Sequence, residues 1–366
     1  MIRTTRKAAF AGLALAASAI LLAGCGAPPE DASEGDGGDA ADDFLACAVS
    51  DEGSWNDKSF NEAAFAGLQK AESEMGIQID DAESASAEDF VPNLTAMVDN
   101  GCDITFAIGF NFSLGGENGV IFDVASDNPD AKFAWLDGWG SDDVDNVKPI
   151  MYASEQSSYL AGYLAAAYST SKVVGTYGGL QIDSVTSFMD GFYQGAKKFE
   201  EESGTPIKVV GWDPATKAGD FVGDFANTEE AKSISNGQLA AGADVIFPVA
   251  GGLFTATAEA IREGSDPNAV MLGVDKDIAV TQPDLADITL TSVEKRMTQA
   301  VFDIIGEVHD DEFSAEPYFG TLENDGTGLS DFGAFADKVP ADVVSKLDEL
   351  KQQIIDGDIE ITLTKN

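Results

Sequence analysis

The chain has 366 residues, enough for two domains of ordinary size, and a formal net charge of −43. Such acidity excludes nucleic acid as a partner, because a polyanion is bound by basic surface. Beyond the first seven residues the only arginines are Arg262 and Arg296, so a strongly anionic ligand, which calls for guanidinium forks, is not expected either.

Arg3, Arg6 and Lys7 precede an apolar run over 8–23, and the run closes on Leu22-Ala23-Gly24-Cys25. This reads as a secretory signal over 1–24 whose end has the form of a bacterial lipobox, with Cys25 as the lipidated first residue of the mature protein. The run is short for a membrane span, and no later stretch is long and apolar enough to be one. Residues 26–43 hold seven acids and no large apolar side chain. They cannot bury a core, so 25–43 is read as a lipidated cysteine and a disordered tether that holds a folded module outside the cytoplasm, anchored to the cell membrane.

The folded part opens with an apolar strand over 45–50, a polar loop and an amphipathic helix on which Phe60, Ala63, Ala64, Gly67, Leu68, Ala71 and Met75 keep the helical period. Ser59 and Glu62 have the spacing of a capping box, with Asp57 adding negative charge beside the exposed amides. In a βα unit, ligands lie beyond the carboxyl end of the strand, which puts Asp51, Asp57, Phe60 and Asn61 where a ligand is met. The plainer alternative is that Asp57 and Asn61 serve the helix terminus and Phe60 packs on the sheet.

A weak strand near 77–80, a helix over 87–99 closed by Asn100-Gly101, and a buried strand over 103–110 follow, then a helix to about 126 and a strand over 132–138 ending beside Asp137. The acidic loop 141–146 lacks the spacing of a calcium loop and is read as a solvated turn; no metal or cofactor is expected. Around 150–154 the pattern changes, and the small, apolar helix 159–169 is expected to be buried at a lobe boundary. Further strands are expected at 173–178, 207–212, 244–252 and 270–277, and helices at 184–201, 228–241 and 254–263. Residues 288–295 lead to a helix over 297–308, a strand over 318–322 and a last helix over 341–355 opened by Pro340. Strands alternating with helices imply α/β architecture with parallel sheets covered on both faces. The expected division is a discontinuous N-terminal lobe, 44–153 plus about 296–340, and a C-terminal lobe, 154–290 plus part of the C-terminal segment. Cys47 and Cys102 lie in or beside strands; a disulfide is possible if those strands are neighbours, but buried free thiols are the expected state.

Asp51, Asp137 and Asp275 each close an apolar strand, and carboxylates there accept hydrogen bonds from a diol or from ring N–H groups of a neutral ligand. The segments DEGSWNDKSFNEAAFAGL, FAWLDG, SEQSSYLAGYLAAAYSTSKVVGTYGG, VTSFMDGFYQGAK, GVDKD and LTSVEKR resemble the basic membrane protein family of lipoproteins, substrate-binding components of ABC transporters related to purine-nucleoside receptors. The resemblance implies a two-lobed periplasmic-binding-protein fold of the sugar-binding type and delivery of a nucleoside to a membrane permease. It implies that Phe60 and Phe188 stack on the base, that Asn61 and Asp137 bond its edge, and that Asp275 and Lys295 hold the ribose hydroxyls. Asp51, Gly251 and Gly252 would line the pocket. A sugar-binding protein and a nucleoside-processing enzyme are the alternatives. For the enzyme, the sole histidine, His309, forms no evident Ser-His-Asp or Cys-His set.

Overall fold

The computed structural model describes residues 43–141 and 143–365. The signal, Cys25 and nearly all of the tether lie outside the described residues. In chain order the elements are β1 (Leu45–Ser50), α1 (Phe60–Met75), β2 (Gln78–Ala82), α2 (Phe90–Asp99), β3 (Ile104–Ile108), α3 (Val120–Asp127), β4 (Phe133–Leu136) and β5 (Val147–Tyr152). Then come α4 (Ser154–Tyr168), β6 (Val173–Gly178), α5 (Asp183–Ser203), β7 (Lys208–Val210), the short ribbon β8 (Trp212–Asp213) and β9 (Ala218–Gly219), α6 (Thr228–Ala240), β10 (Val245–Val249) and α7 (Phe254–Glu263). The chain finishes with β11 (Val270–Asp275), α8 (Ile278–Thr281), β12 (Thr289–Lys295), α9 (Met297–His309), β13 (Tyr318–Gly320), β14 (Thr327–Leu329) and α10 (Ala341–Ile355).

The strands form two six-stranded sheets, ordered β13-β5-β4-β3-β1-β2 and β14-β12-β11-β10-β6-β7. All ladders in these two sheets are parallel except β12 with β14. The strands read as continuous apolar runs because both faces are covered: Phe106 and Ile108 of β3 pack on the side of Leu68 and Val301, whereas Ala107 packs on the side of Trp135 and Phe90. In each sheet the order reverses beside the first strand, between β1 and β3 and between β6 and β10. That reversal opens a crevice at the strands' carboxyl ends.

Three crossovers join the lobes: Tyr152 to Ser154, Lys295 to Met297, and Gly320 to Thr327. The first lobe therefore takes back only α9, which packs on α1, and β13. The expected return segment reaching about 340 is too long, because Thr327–Leu329 already pairs with β12 in the second sheet and α10 packs on α4. Likewise the second lobe continues past 290 to the end of β12. The helix α4 is small-sided for a reason visible at its partner. A Cβ added at Gly195 of α5 would lie 1.9 Å from the Tyr159 carbonyl oxygen, and one at Gly162 2.0 Å from that of Phe192, so the two backbones touch. This close pair forms much of the second lobe's core with Phe192, Phe247 and Leu350.

Some elements depart from the sequence reading. The strand β5 is not evident in sequence because Lys148 and Pro149 interrupt the apolar run; Lys148 is buried and its Nζ reaches the Ser314 carbonyl and Glu307, each at 3.2 Å. The single strand expected at 207–212 is split at Gly211, whose φ of 84° only glycine adopts readily. Cys47 and Cys102 are joined in a disulfide, with Cα atoms 5.9 Å apart, which overturns the expectation of free thiols. Cys102 precedes the β3 ladder, in a turn where its N–H bonds the Met97 carbonyl, so the pleat does not hold its side chain away from β1. The bridge closes 55 residues of sequence, and replacing both cysteines by alanine should cost about 2–4 kcal/mol of unfolding free energy. Urea denaturation of the variant, with alkylation and intact mass before and after reduction of the parent protein, checks both the bond and its contribution.

Candidate functional site

The carboxyl ends of both sheets face one cavity of ≈ 520 Å³, lined by all ten residues singled out in the sequence: Asp51, Asp57, Phe60, Asn61, Asp137, Phe188, Gly251, Gly252, Asp275 and Lys295. Asp51 follows β1, and its Oδ1 accepts hydrogen bonds from the Gly53 N–H at 3.1 Å and the Asn61 side-chain amide at 3.4 Å. Gly109, with φ 123°, leaves room for it; a Cβ there would meet Asp51 Oδ2 at 2.2 Å. Burial pushes the Asp51 carboxyl up to about 6, against the lowering effect of Gly53 and Asn61.

The start of α1 is built differently from the capping box expected. Asp57 supplies the cap: Oδ1 accepts from the Ser59 and Glu62 N–H groups at 2.8 and 3.1 Å, and Oδ2 from the Asn61 N–H at 2.9 Å. Three amides are thus satisfied by one carboxylate. Ser59 makes no side-chain bond to its own helix. Its Oγ instead donates to Asp275 Oδ2 at 2.6 Å in the other lobe, and Glu62 pairs with Lys276 at 2.6 Å. The plainer reading of Asp57 is therefore part of its role, although Asp57 also borders the cavity. Asn61 is 4 % exposed and turns its amide nitrogen toward Asp51 and Asp57, while its Oδ1 has no hydrogen-bond partner in the protein.

Asp137 follows β4 and Asp275 ends β11, both in the left-handed region, at φ 57° and 66°. Aspartate tolerates that conformation better than most residues, and such departures gather at sites. The turn takes each carboxylate out of the sheet and into the cleft. Asp137 binds Lys295 Nζ through both oxygens at 2.7 and 2.8 Å. Asp275 is pushed up to about 6 by burial, which outweighs the Lys295 charge and the Ser59 hydrogen bond; Asp137 and Asp57 add repulsion. Lys295 Nζ lies 5.1 Å from the Phe60 ring centroid, 5.3 Å from that of Phe188 and 5.7 Å from that of Tyr152. Phe188 also leans on Phe247 in the second lobe's core, at 6.2 Å between centroids. Gly252 is a place of contact between lobes, since a Cβ there would lie 2.3 Å from the Asp57 carbonyl oxygen.

The apolar lining of the cavity was not singled out in the sequence. Phe110 and Leu114 follow β3, Leu180 and Val185 follow β6, and Phe225 precedes α6. Their signal was topological: they occupy loops that leave the two reversal points, and the first of these loops carries left-handed glycines at 109, 115, 116 and 119. Among the described residues no group of three or more His, Cys, Asp or Glu side chains is arranged to hold a metal ion. His309 ends α9, edge-on to Phe44, and is not among the residues lining the cavity.

Two parallel α/β lobes with a cavity at their facing strand ends define the periplasmic-binding-protein fold. A chain of known structure described as an ABC transporter solute-binding protein from Aeropyrum pernix superimposes with a TM-score of 0.75 at 24% identity, covering 88% of this chain and 94% of that one. The arabinose-binding protein AraP of Geobacillus stearothermophilus shares the fold at a TM-score of 0.59 and 12% identity, over 82% of this chain and 100% of its own. Residues 44–365 match the Bmp family model, described as ABC transporter substrate-binding protein PnrA-like, and the chain belongs to that family. A relative from Listeria innocua, named CD4+ T-cell-stimulating antigen, is 31% identical over 97% of this chain and 98% of its own. The ABC transporter nucleoside-binding protein BmpA of Lactococcus lactis is 28% identical over the same shares. The family is one of ABC transporter substrate-binding proteins, which bind a small molecule for a transporter's permease.

The raised carboxyls make stability depend on pH in a defined direction. Asp51 and Asp275 hold their protons more firmly in the folded than in the unfolded chain. Their ionisation therefore opposes folding: they contribute stability below the ordinary carboxylate range, and that contribution is lost as pH rises through about 6. Asp51→Asn keeps the acceptor for Gly53 and removes the charge. At about pH 8 it should raise the unfolding free energy of the ligand-free protein by on the order of 1 kcal/mol and flatten the pH dependence, as read by urea denaturation across this range.

Proposed function

We propose that the protein is an extracytoplasmic lipoprotein, anchored through Cys25, that binds a neutral nucleoside in the cleft and delivers it to the permease of an ABC importer. The observation that carries the ligand class is the company kept by Lys295: the rings of Phe60 and Phe188, from opposite lobes, lie within 5.3 Å of its Nζ, and Asp137 and Asp275 border the same space. Aromatic faces suit a base; carboxylates and an ammonium suit the hydroxyls of a ribose. Asn61 Oδ1, buried without a protein partner, suits an N–H on the base edge. Asp51 and Asp57 add negative charge that Lys295 does not neutralise, which disfavours a phosphate. The nucleoside-binding name of the Lactococcus lactis relative supports the same reading.

Titration calorimetry should compare inosine, guanosine, adenosine, ribose, a hexose and a nucleoside monophosphate. Nucleosides are expected to bind, the monophosphate far more weakly. Because stacking on an aromatic face contributes about 1–3 kcal/mol per base, Phe60→Ala should weaken the nucleoside by roughly tenfold to over a hundredfold. Asp275→Asn should weaken nucleosides more than free bases. Binding of ribose or a hexose without any nucleoside would overturn the ligand assignment and favour the sugar alternative. For the anchor, Cys25→Ser should release the protein from the membrane fraction with its ligand affinity unchanged, as followed by fractionation and calorimetry.

A further inference from the structure

Some of the contacts that hold the lobes together lie outside the ligand cavity, and we infer that Glu62 and Lys276 form an interlobe latch that sets how long the ligand stays without touching it. The inference rests on the cavity being a ligand site. Glu62 stands in the first turn of α1, in the first lobe; Lys276 follows β11, in the second. Lys276 Nζ donates to Glu62 Oε1 at 2.6 Å, and neither residue lines the cavity. The left-handed turn at Asp275 explains how neighbours in sequence come to face different ways. With φ at 66° and the Lys276 N–H bonded to the Val274 carbonyl, Asp275 faces the cavity and Ser59, while Lys276 reaches across to Glu62.

Several features separate this pair from an ordinary surface ion pair. Its side chains are only 29% and 17% exposed, so water screens them incompletely. The same stretch of α1 touches the second lobe again where Asp57 meets Gly252 and where Ser59 meets Asp275, so the pair closes one edge of a continuous contact. Lys58 lies 3.5 Å from the other Glu62 oxygen and belongs to the same lobe as Glu62. On opening, Glu62 keeps that partner while Lys276 returns to water, so the latch is lost without stranding a buried charge. A contact present only in the closed form stabilises the closed, ligand-holding state, and its removal speeds release rather than slowing capture.

The test uses the full folded protein with inosine as probe, in stopped-flow measurements on the parent, Lys276→Met, Glu62→Gln and the double variant. Each single change should raise koff about three- to tenfold with kon essentially unchanged, and the double variant should be no faster than the faster single one. Between about 50 and 500 mM salt, koff of the parent should rise while that of Lys276→Met stays level. An unchanged koff in Lys276→Met, or fully additive effects in the double variant, overturns the latch. If inosine does not bind the parent, the nucleoside reading fails separately. Small-angle scattering of the ligand-free proteins then decides the latch: a larger radius of gyration for Lys276→Met supports it, and an identical one overturns it.

Discussion

One ammonium group among carboxylates holds the cleft together. Lys295 ends a strand of the second lobe and is bonded to both oxygens of Asp137, which follows a strand of the first. The Lys295 side chain is 4% exposed. At that depth loss of Lys295 leaves the Asp137 charge without compensation, a far larger penalty than loss of a surface pair. The lysine neutralises Asp137 and only eases Asp275, whose carboxyl burial still drives up to about 6. Asp51 lies beyond its reach and is raised for the same reason. The cavity is therefore acceptor-rich and short of positive charge, a balance that matches uncharged ligands bearing hydroxyl and N–H donors.

The fold accepts unfavourable local conformations to create this balance. Asp137 and Asp275 adopt a backbone region that costs a side-chain-bearing residue on the order of 1 kcal/mol or more. A strand continuing straight would leave these carboxylates in the sheet. The turn delivers them into the space between the lobes, which Phe110, Leu180 and Phe225 also line. What stabilises the molecule against these costs lies elsewhere: the contact of α4 with α5, the two-faced burial of the central strands and the Cys47–Cys102 bridge.

The first turn of α1 joins the two lobes because its capping is concentrated in one residue. Asp57 satisfies three amides, which frees Ser59 and Glu62 to bond Asp275 and Lys276. A helix terminus that would ordinarily be complete in itself becomes a contact made only when the lobes meet. The cavity lies where the lobes meet at this turn, lined by Phe60 and Asn61 from one lobe and by Phe188 and Lys295 from the other.

Periodicity in the sequence determined the alternation of strands and helices, and with it the parallel, two-face-covered sheets, because burial on both faces writes itself as apolar runs over 104–108, 245–249 and 270–275. It also marked the strand-end acids, since an aspartate that closes an apolar run is a local signal. The family came from the motifs around Phe60, Phe188 and Lys295, which also carry the proposed ligand contacts, rather than from any pattern of hydrophobicity. Tertiary structure alone decided what depends on segments distant in the chain. The disulfide required β1 and β3 to be neighbours; the use of Ser59 and Glu62 required Asp275 and Lys276 to arrive from more than two hundred residues away. The strand β5 and the return of the chain to the second lobe at Thr327 were decided by pairing partners that compensate a lysine, a proline and a short, polar run. Local preferences state what a segment tolerates, whereas hydrogen-bond and charge partners across the cleft exist only once the lobes have folded and met.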